Sequence, residues 1–401
     1  MHLRLRQRDF FIRSIRALEP PRHILYTCIQ KDDELSPLIA RMKQAGRLAL
    51  DTEGDSLHHY FQKICLIQLT IDGRNYIIDP LSGMDLSEFL DVLASKPLVL
   101  HGAEYDLRMM RASFGFIPRN EIFDTMLAGV ILGYDQLGLV ALVKRFLNVE
   151  LSKKGQKSDW SRRPLSDEQL EYAAEDTRYL APLANCLARE LHHLARTDWH
   201  KEICANMVRL SMIDAPEDRE NEWRIPGTST LLPRQMAYVR QIWYWREDEA
   251  RHADLPSFKI LDSRRIIDIA VWATSHNPHS FTGMPSLPRN CIGRRLNALR
   301  KALIKARNIP KPYLPGPRKQ HRQENKTNRV SKPALASLRE ECAHIAVRLG
   351  IAPSVLAPRA ALAGLIRSKP RNIAEIMAAG PLMRWQAILV KPALDRVIEH
   401  L

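Results

Sequence analysis

Five side chains of this 401-residue sequence have the types and spacing that metal-assisted chemistry requires: Asp51, Glu53, Asp106, Tyr172 and Asp176. Asp51 and Glu53 stand two apart in GRLALDTEGD, a strand-like run, and alternation along a strand points both to one face of the sheet. Taken alone, the pair also fits a solvated strand edge. Asp106 follows the buried stretch PLVLHG and opens a helix, where an acid also serves as a cap or first-turn charge. Tyr172 and Asp176 are four apart, on one helical face and off the stripe of Leu170, Ala173, Thr177 and Leu180; a surface Tyr–Asp pair has the same spacing. Two carboxylates 4 Å apart repel by about 4 kcal/mol at an effective dielectric near 20. Four acids therefore either stay apart or hold cations. All-oxygen donors, with no His or Cys at matching spacing, select a hard divalent ion, Mg²⁺ or Mn²⁺. Two such ions about 3.5–4 Å apart form a clamp for phosphodiester hydrolysis.

These residues need an α/β frame to meet. GRLALDTEGD, KICLIQLTI and RNYIIDP read as three strands, the last two joined by an Asp72-Gly73 hairpin turn, so the sheet starts antiparallel. SGMDLSEFLDVLA then reads as a helix, PLVLHG as a short buried strand and YDLRMMRASFG as a helix that Gly115 ends. Ser166, followed by Gln169, carries a capping-box signature and opens one long helix that Pro182 kinks. After about residue 205 the strand signals stop and helical stretches follow. Two of these match: Pro256-Ser257, Ile260-Leu261, Arg264, Ile267 and Ala270 recur as Pro353-Ser354, Val355-Leu356, Arg359, Leu362 and Leu365, a duplicated helical module.

Charge separates the halves. The chain carries 60 Lys and Arg against 45 Asp and Glu. Residues 1–200 hold 26 basic and 27 acidic side chains, whereas residues 201–401 hold 34 and 18. A neutral half joined to a basic one suggests a core unit plus a module that meets a polyanion, most commonly nucleic acid. No uncharged apolar run reaches the length of a membrane span, and the six scattered cysteines show no CxxC spacing, so a reducing, cytoplasmic setting without membrane contact is expected.

LALDTEGDS, LVLHGAEYDLRMM and YAAEDTRYL resemble the three motifs of the tyrosine-bearing DEDD 3′-to-5′ exonucleases, and QKSDWSRRPLS resembles the stretch before the third motif in the ribonuclease D family. The two basic helical modules are similar to the paired HRDC domains of that family. The resemblance implies a ribonuclease H-like α/β exonuclease domain with a mixed sheet, followed by two all-α HRDC-like domains. Residues 1–24, outside the resemblance, read as a basic extension; within it, 25–205 form the exonuclease, 206–230 a connector, 231–310 the first helical domain, 311–334 a basic linker and 335–401 the second helical domain. The resemblance further implies that Asp51, Glu53, Asp106 and Asp176 hold two divalent ions and that Tyr172 orients the attacking water. The implied activity is release of 5′-mononucleotides from a single-stranded RNA 3′ end, tRNA precursors included.

Around these, Lys153, Lys154, Gln156, Lys157, Arg162 and Arg163 could hold substrate phosphates or form a solvated loop. Trp160 suits a core anchor, Asp124 a structural role, and His58, His59 and Tyr60 a surface loop or a contact to the terminal nucleotide. Trp243, Tyr244, Trp245 and Trp272 could stack bases, though their helical spacing favours core packing. A DNA exonuclease with the same site and a non-enzymatic nucleic-acid tether are the competing readings.

Overall fold

A tight turn and three apolar runs build the first half of the sheet. The computed structural model describes residues 25–152, 155–214, 218, 220–277, 280–316 and 331–399. The N-terminal extension, Lys153, Lys154 and most of the basic linker lie outside the described residues. In chain order come β1 (Tyr26–Ile29), α1 (Asp32–Gln44), β2 (Leu48–Gly54), β3 (Ile64–Ile71), β4 (Arg74–Ile78), α2 (Ser87–Ser95), β5 (Leu98–Leu100), α3 (Glu104–Phe114), β6 (Ile122–Asp124), α4 (Thr125–Leu132) and α5 (Leu139–Leu147). Asp72 and Gly73 join β3 to β4 at φ +47° and +78°, as a two-residue hairpin of this twist requires. The sheet order is β1-β4-β3-β2-β5-β6. Its β2–β3 and β3–β4 pairs are antiparallel and the other three parallel, which makes it a mixed sheet.

All of β3 is buried, as a central strand covered on both faces must be. On one face Leu48, Leu50, Ile67 and Leu69 pack with Phe89, Leu107 and Met110. On the other, Leu66 and Ile77 pack with Trp160, Ala173 and Ala174. Those alanines lie on α6 (Asp167–Arg178), which is followed by α7 (Leu180–His193) and α8 (Thr197–Ser211). Ser166 Oγ accepts the Gln169 N–H while the Gln169 side chain accepts the Ser166 N–H, the reciprocal cap expected. Instead of one kinked helix there are two, interrupted at Tyr179. Pro182 sits in the first turn of α7, where its missing N–H has no intrahelical partner to lose.

The remainder is helical: α9 (Pro233–Ala253), α10 (Ser257–Ile260), α11 (Ser263–Ala273), α12 (Gly293–Arg307), α13 (Lys332–Leu349), α14 (Pro353–Leu356), α15 (Arg359–Ser368), α16 (Ile373–Ala379) and α17 (Arg384–Glu399). The α10–α11 pair and the α14–α15 pair repeat the same short-then-long arrangement over the duplicated stretches. No single described helix is long and apolar enough to cross a membrane.

The chain divides into two compact units. One combines the described residues of Met1–Gly54, Ile64–Ile213 and Asn325–Leu401; the other combines those of Asp55–Lys63 and Asp214–Glu324. In the first, Leu338, Leu362, Trp385 and Leu394 of the C-terminal helices share a core with Ile131, Leu142, Phe146 and Leu187 of the sheet region. Trp199 stacks on Trp385 with centroids 4.6 Å apart, and Arg196 donates to the carbonyls of both Ile131 and Leu349. A Cβ on Gly133 would stand 1.7 Å from the Gly350 carbonyl oxygen, so this contact needs a bare backbone there. The family resemblance sets 335–401 apart as its own domain, whereas its helices share this core with the sheet region; helical periodicity reveals an apolar face but not the neighbour that covers it.

In the second unit Trp245 and Trp272 are buried in a core with Trp223, Ile242 and Leu299, while Trp243 is partly buried and Tyr244 exposed. Residues 55–63 belong to this unit. Asp254 Oδ1 accepts the N–H groups of Tyr60 (3.0 Å) and Phe61 (3.1 Å), and His59 Nδ1 lies 2.7 Å from Oδ2. The Tyr60 ring packs on the same core. His59 and Tyr60 therefore fasten a loop.

Candidate metal centre

β2 presents Asp51 and Glu53 on one sheet face and α6 brings Asp176 over it, so that one carboxylate oxygen from each lies within 4.8 Å of the others. The strand register shifts between Glu53 and Gly54, a bulge that ends regular pairing immediately after the second acid. Asp106 does not belong to this set of three. It occupies the first turn of α3, which packs on the opposite face, and Thr52 Oγ1 donates to its Oδ1 at 2.6 Å. Thr52 thus uses strand alternation in reverse: its neighbours face α6 while it holds Asp106 from the other side. The loop entering α3 is fixed by Asp124, whose Oδ1 accepts the N–H groups of Gly102, Met126 and Leu127 and whose Oδ2 accepts that of Ala103. Asp124 caps α4 and steadies the approach to Asp106 with one carboxylate, a structural part.

The electrostatics follow from this crowding. Burial, then repulsion from Asp106, Asp176 and Glu53, holds the Asp51 carboxyl well above the usual range. Burial and the charges of Asp176 and Asp106 push Glu53 up to about 9. Burial raises Asp176 to about 7 against the pull of the Tyr172 hydroxyl. Asp106 is raised to about 6, burial outweighing the Thr52 hydrogen bond. Among the described residues no Lys or Arg forms an ion pair with any of these four acids. Such a cluster ionises fully at neutral pH only when a cation joins it. The donors are all carboxylate oxygens, which suit a hard divalent metal and not Zn²⁺ or copper. The residues fit a metal.

Tyr172 lies one turn before Asp176 on α6 and hydrogen-bonds to it. Burial and the nearby charges of Asp176 and Glu53 push the phenol further up, so it remains protonated. Its ring is backed by Trp160, which is fully buried as a core anchor (centroids 6.1 Å apart), and by the backbone of Gly155. Gly155 adopts φ +109°, and a Cβ there would come within 2.8 Å of Tyr172 Cγ. Arg163 is not available to a phosphate. It pairs with both oxygens of Asp79 (2.6 and 2.7 Å) and donates to the carbonyls of Trp160 and Cys65. It clamps the 155–165 segment to the sheet. Arg162 pairs with Asp159, and Gln156 and Lys157 are exposed. Thr52, Gly155 and Arg163 were not singled out for these parts from sequence. Only Thr52 had a signal, its place between the two acids.

The family profile for the 3′-5′ exonuclease domain matches residues 26–192. Over 369 residues, 89% of this chain and 88% of the other, the sequence is 30% identical to ribonuclease D of Haemophilus influenzae. The chain belongs to the ribonuclease D family. Ribonuclease D of Bartonella henselae is 29% identical over 334 residues, 82% of this chain and 80% of that one. Among solved structures, a protein from Bifidobacterium adolescentis superposes with a TM-score of 0.78 at 22% identity, covering 96% of this chain and all of the other. The RNase D of Escherichia coli superposes with a TM-score of 0.68 at 24% identity, covering 94% and 99%. At these identities the superpositions establish the fold alone. Membership makes the chain a 3′–5′ exoribonuclease, a phosphodiester hydrolase with a ribonuclease H-like exonuclease domain and a helical C-terminal region. Its carboxylate cluster is the place for a divalent metal.

Proposed function

We propose that this ribonuclease D relative takes RNA with a single-stranded 3′ end, structured tRNA precursors above all, and releases 5′-mononucleotides one at a time. Asp51, Glu53, Asp106 and Asp176 would hold two Mg²⁺ or Mn²⁺ ions. The observation that carries this reading is the approach of the Asp51, Glu53 and Asp176 carboxylates to within 4.8 Å beside a protonated tyrosine. When bound, the ions would supply Lewis acidity, which lets water lose a proton to solvent at neutral pH so that hydroxide is available to attack a phosphodiester, and which steadies the leaving oxygen.

The chain's own residues do the rest. Asp51 and Glu53, the two acids held highest, give up their protons as the ions bind, so the site reaches its full charge only when it is loaded. Tyr172 keeps its proton on Oη and donates it to Asp176; its remaining lone pairs accept a hydrogen bond from a water molecule and fix that water's orientation. It acts as a positioner and not as a base. Trp160 and Gly155 keep the ring from rotating away. The excess of basic residues after position 200 supports a grip on the phosphate backbone, one whose affinity falls with salt by roughly 0.7 log units per log unit for each phosphate neutralised on a single strand. Helical domains of HRDC type would provide it. The scattered cysteines favour a reducing compartment, and we place the enzyme in the cytoplasm.

The test is a single-stranded RNA oligomer labelled at its 3′ end, incubated with the full chain beside the matching DNA oligomer and a tRNA precursor with a 3′ trailer. The expected first product from RNA is labelled 5′-mononucleotide, abolished by chelator and restored by Mg²⁺ or Mn²⁺. Internal fragments, or release that persists in chelator, would overturn the reading. Equal cleavage of DNA would remove the RNA preference.

A further inference from the structure

Gln68 is fully buried in the middle of β3, and neither its side-chain nitrogen nor its side-chain oxygen has a hydrogen-bond partner. Buried carboxamides are almost always satisfied, and one left without partners costs folding free energy. Its surroundings show where the missing partner is. In the β2–β3 register Gln68 is directly opposite Asp51, and opposite residues of an antiparallel pair share a face with their Cβ atoms about 4.5–5.5 Å apart. On its other flank, in the β3–β4 register, stands Ile77, which offers no polar atom. Along β3 the same face carries Leu66, which packs with Ala173 and Ala174 of α6, and Thr70, whose hydroxyl is 2.7 Å from that of Thr177. Gln68 therefore lies beneath the turn of α6 that brings Asp176 to the cluster. Of its two cross-strand neighbours, only Asp51 is polar.

We propose that Gln68 is a positioning residue for the metal centre: its amide N–H donates to the Asp51 carboxylate in the loaded site and fixes which oxygen Asp51 turns toward the cation. Groups of this kind commonly hold metal-ligating carboxylates in place. The inference rests on the reading of Asp51 as a metal ligand. It also makes Gln68 a residue that weakens the metal-free protein and strengthens the loaded one, a pairing of signs that simple packing does not produce.

The test uses the full chain and Gln68→Met, an apolar side chain of similar length. Thermal unfolding is measured in chelator, and Mn²⁺ affinity by calorimetry. The expected result is a melting temperature in chelator equal to or above that of the unaltered chain, with Mn²⁺ binding about tenfold weaker. A lower melting temperature in chelator with unchanged Mn²⁺ affinity would make Gln68 a packing residue and overturn the proposal. If the unaltered chain binds no Mn²⁺, the metal-site reading itself fails; if it binds and the variant binds equally, only the assignment of Gln68 fails. Should Gln68→Met not fold, the side-chain amide resonance of Gln68 in the unaltered chain decides. It should shift and exchange more slowly with solvent on saturation with Mg²⁺, and an unmoved resonance would overturn the assignment.

Discussion

Glu249 in the first helical module and the acids of the metal centre are handled in opposite ways. The Glu249 side chain is 4% exposed and accepts from Arg294 through both oxygens and from Arg295. Asp79 has the same treatment from Arg163, and Asp55 from Lys63. Asp51, Glu53 and Asp176 face one another instead. Glu249, Asp79 and Asp55 arrive with their own cations, whereas the carboxylates reserved for chemistry are left for a cation from solution. The first kind stabilises the metal-free chain and the second opposes its folding.

Asp51→Asn should separate the two kinds most strongly. Release of mononucleotides should fall at least about 100-fold, because a ligand matters no less than the outer partners of a ligand. The melting temperature in chelator should rise, since Asn need not take up the proton that the crowded Asp51 carboxyl requires on folding. A variant that melts lower and keeps its activity would erase the contrast. Next in size is Tyr172→Phe, which removes the hydrogen bond to Asp176 but no charge. Turnover should drop by roughly 10- to 100-fold, the worth of one hydrogen bond to a charged group, with Mn²⁺ affinity unchanged by calorimetry. Gly155→Ala should reproduce part of that loss by pressing a Cβ on the ring. Glu249→Gln supplies the opposite sign: a loss of about 1–3 kcal/mol in denaturant unfolding, reduced because Arg294 remains largely in water. Cleavage of short oligomers should stay within about twofold of the unaltered chain. A stabilised Glu249→Gln chain would show that its arginines do no more for it than solvent would.

How much of this was legible beforehand depends on range. The Asp72-Gly73 turn, the Ser166 cap and the stop at Gly115 are settled by residues within a few positions, and each lies where the sequence places it. Alternation along β2 made the shared face of Asp51 and Glu53 readable, and helical spacing did so for Tyr172 and Asp176. Arg163 reads as one more cation of a basic loop because its partner, Asp79, is 84 positions away. The joining of the C-terminal helices to the sheet unit depends on Gly133 meeting Gly350, and Gly155 matters only once Tyr172 lies over it. None of these contacts leaves a periodic or local trace. The break at Tyr179 is a smaller case, where two helices divide a stretch whose apolar spacing runs on.

The central claim is that the carboxylate cluster is built for an added cation, and the pH dependence of stability tests it most directly. Asp176, Asp106 and Glu53 ionise near 3.8, 3.8 and 4.5 when unfolded but near 7, 6 and 9 in the fold. The metal-free native state therefore holds protons that the unfolded chain has released, and the contribution of these acids to stability declines as pH rises from about 4 toward 9. A bound cation removes the reason for those protons. Thermal unfolding of the full chain, followed from pH 5 to 9 in chelator and in excess Mg²⁺ or Mn²⁺, should give a metal-induced rise in melting temperature that grows steadily with pH. Two curves that stay parallel over that range, or coincide, would contradict the account.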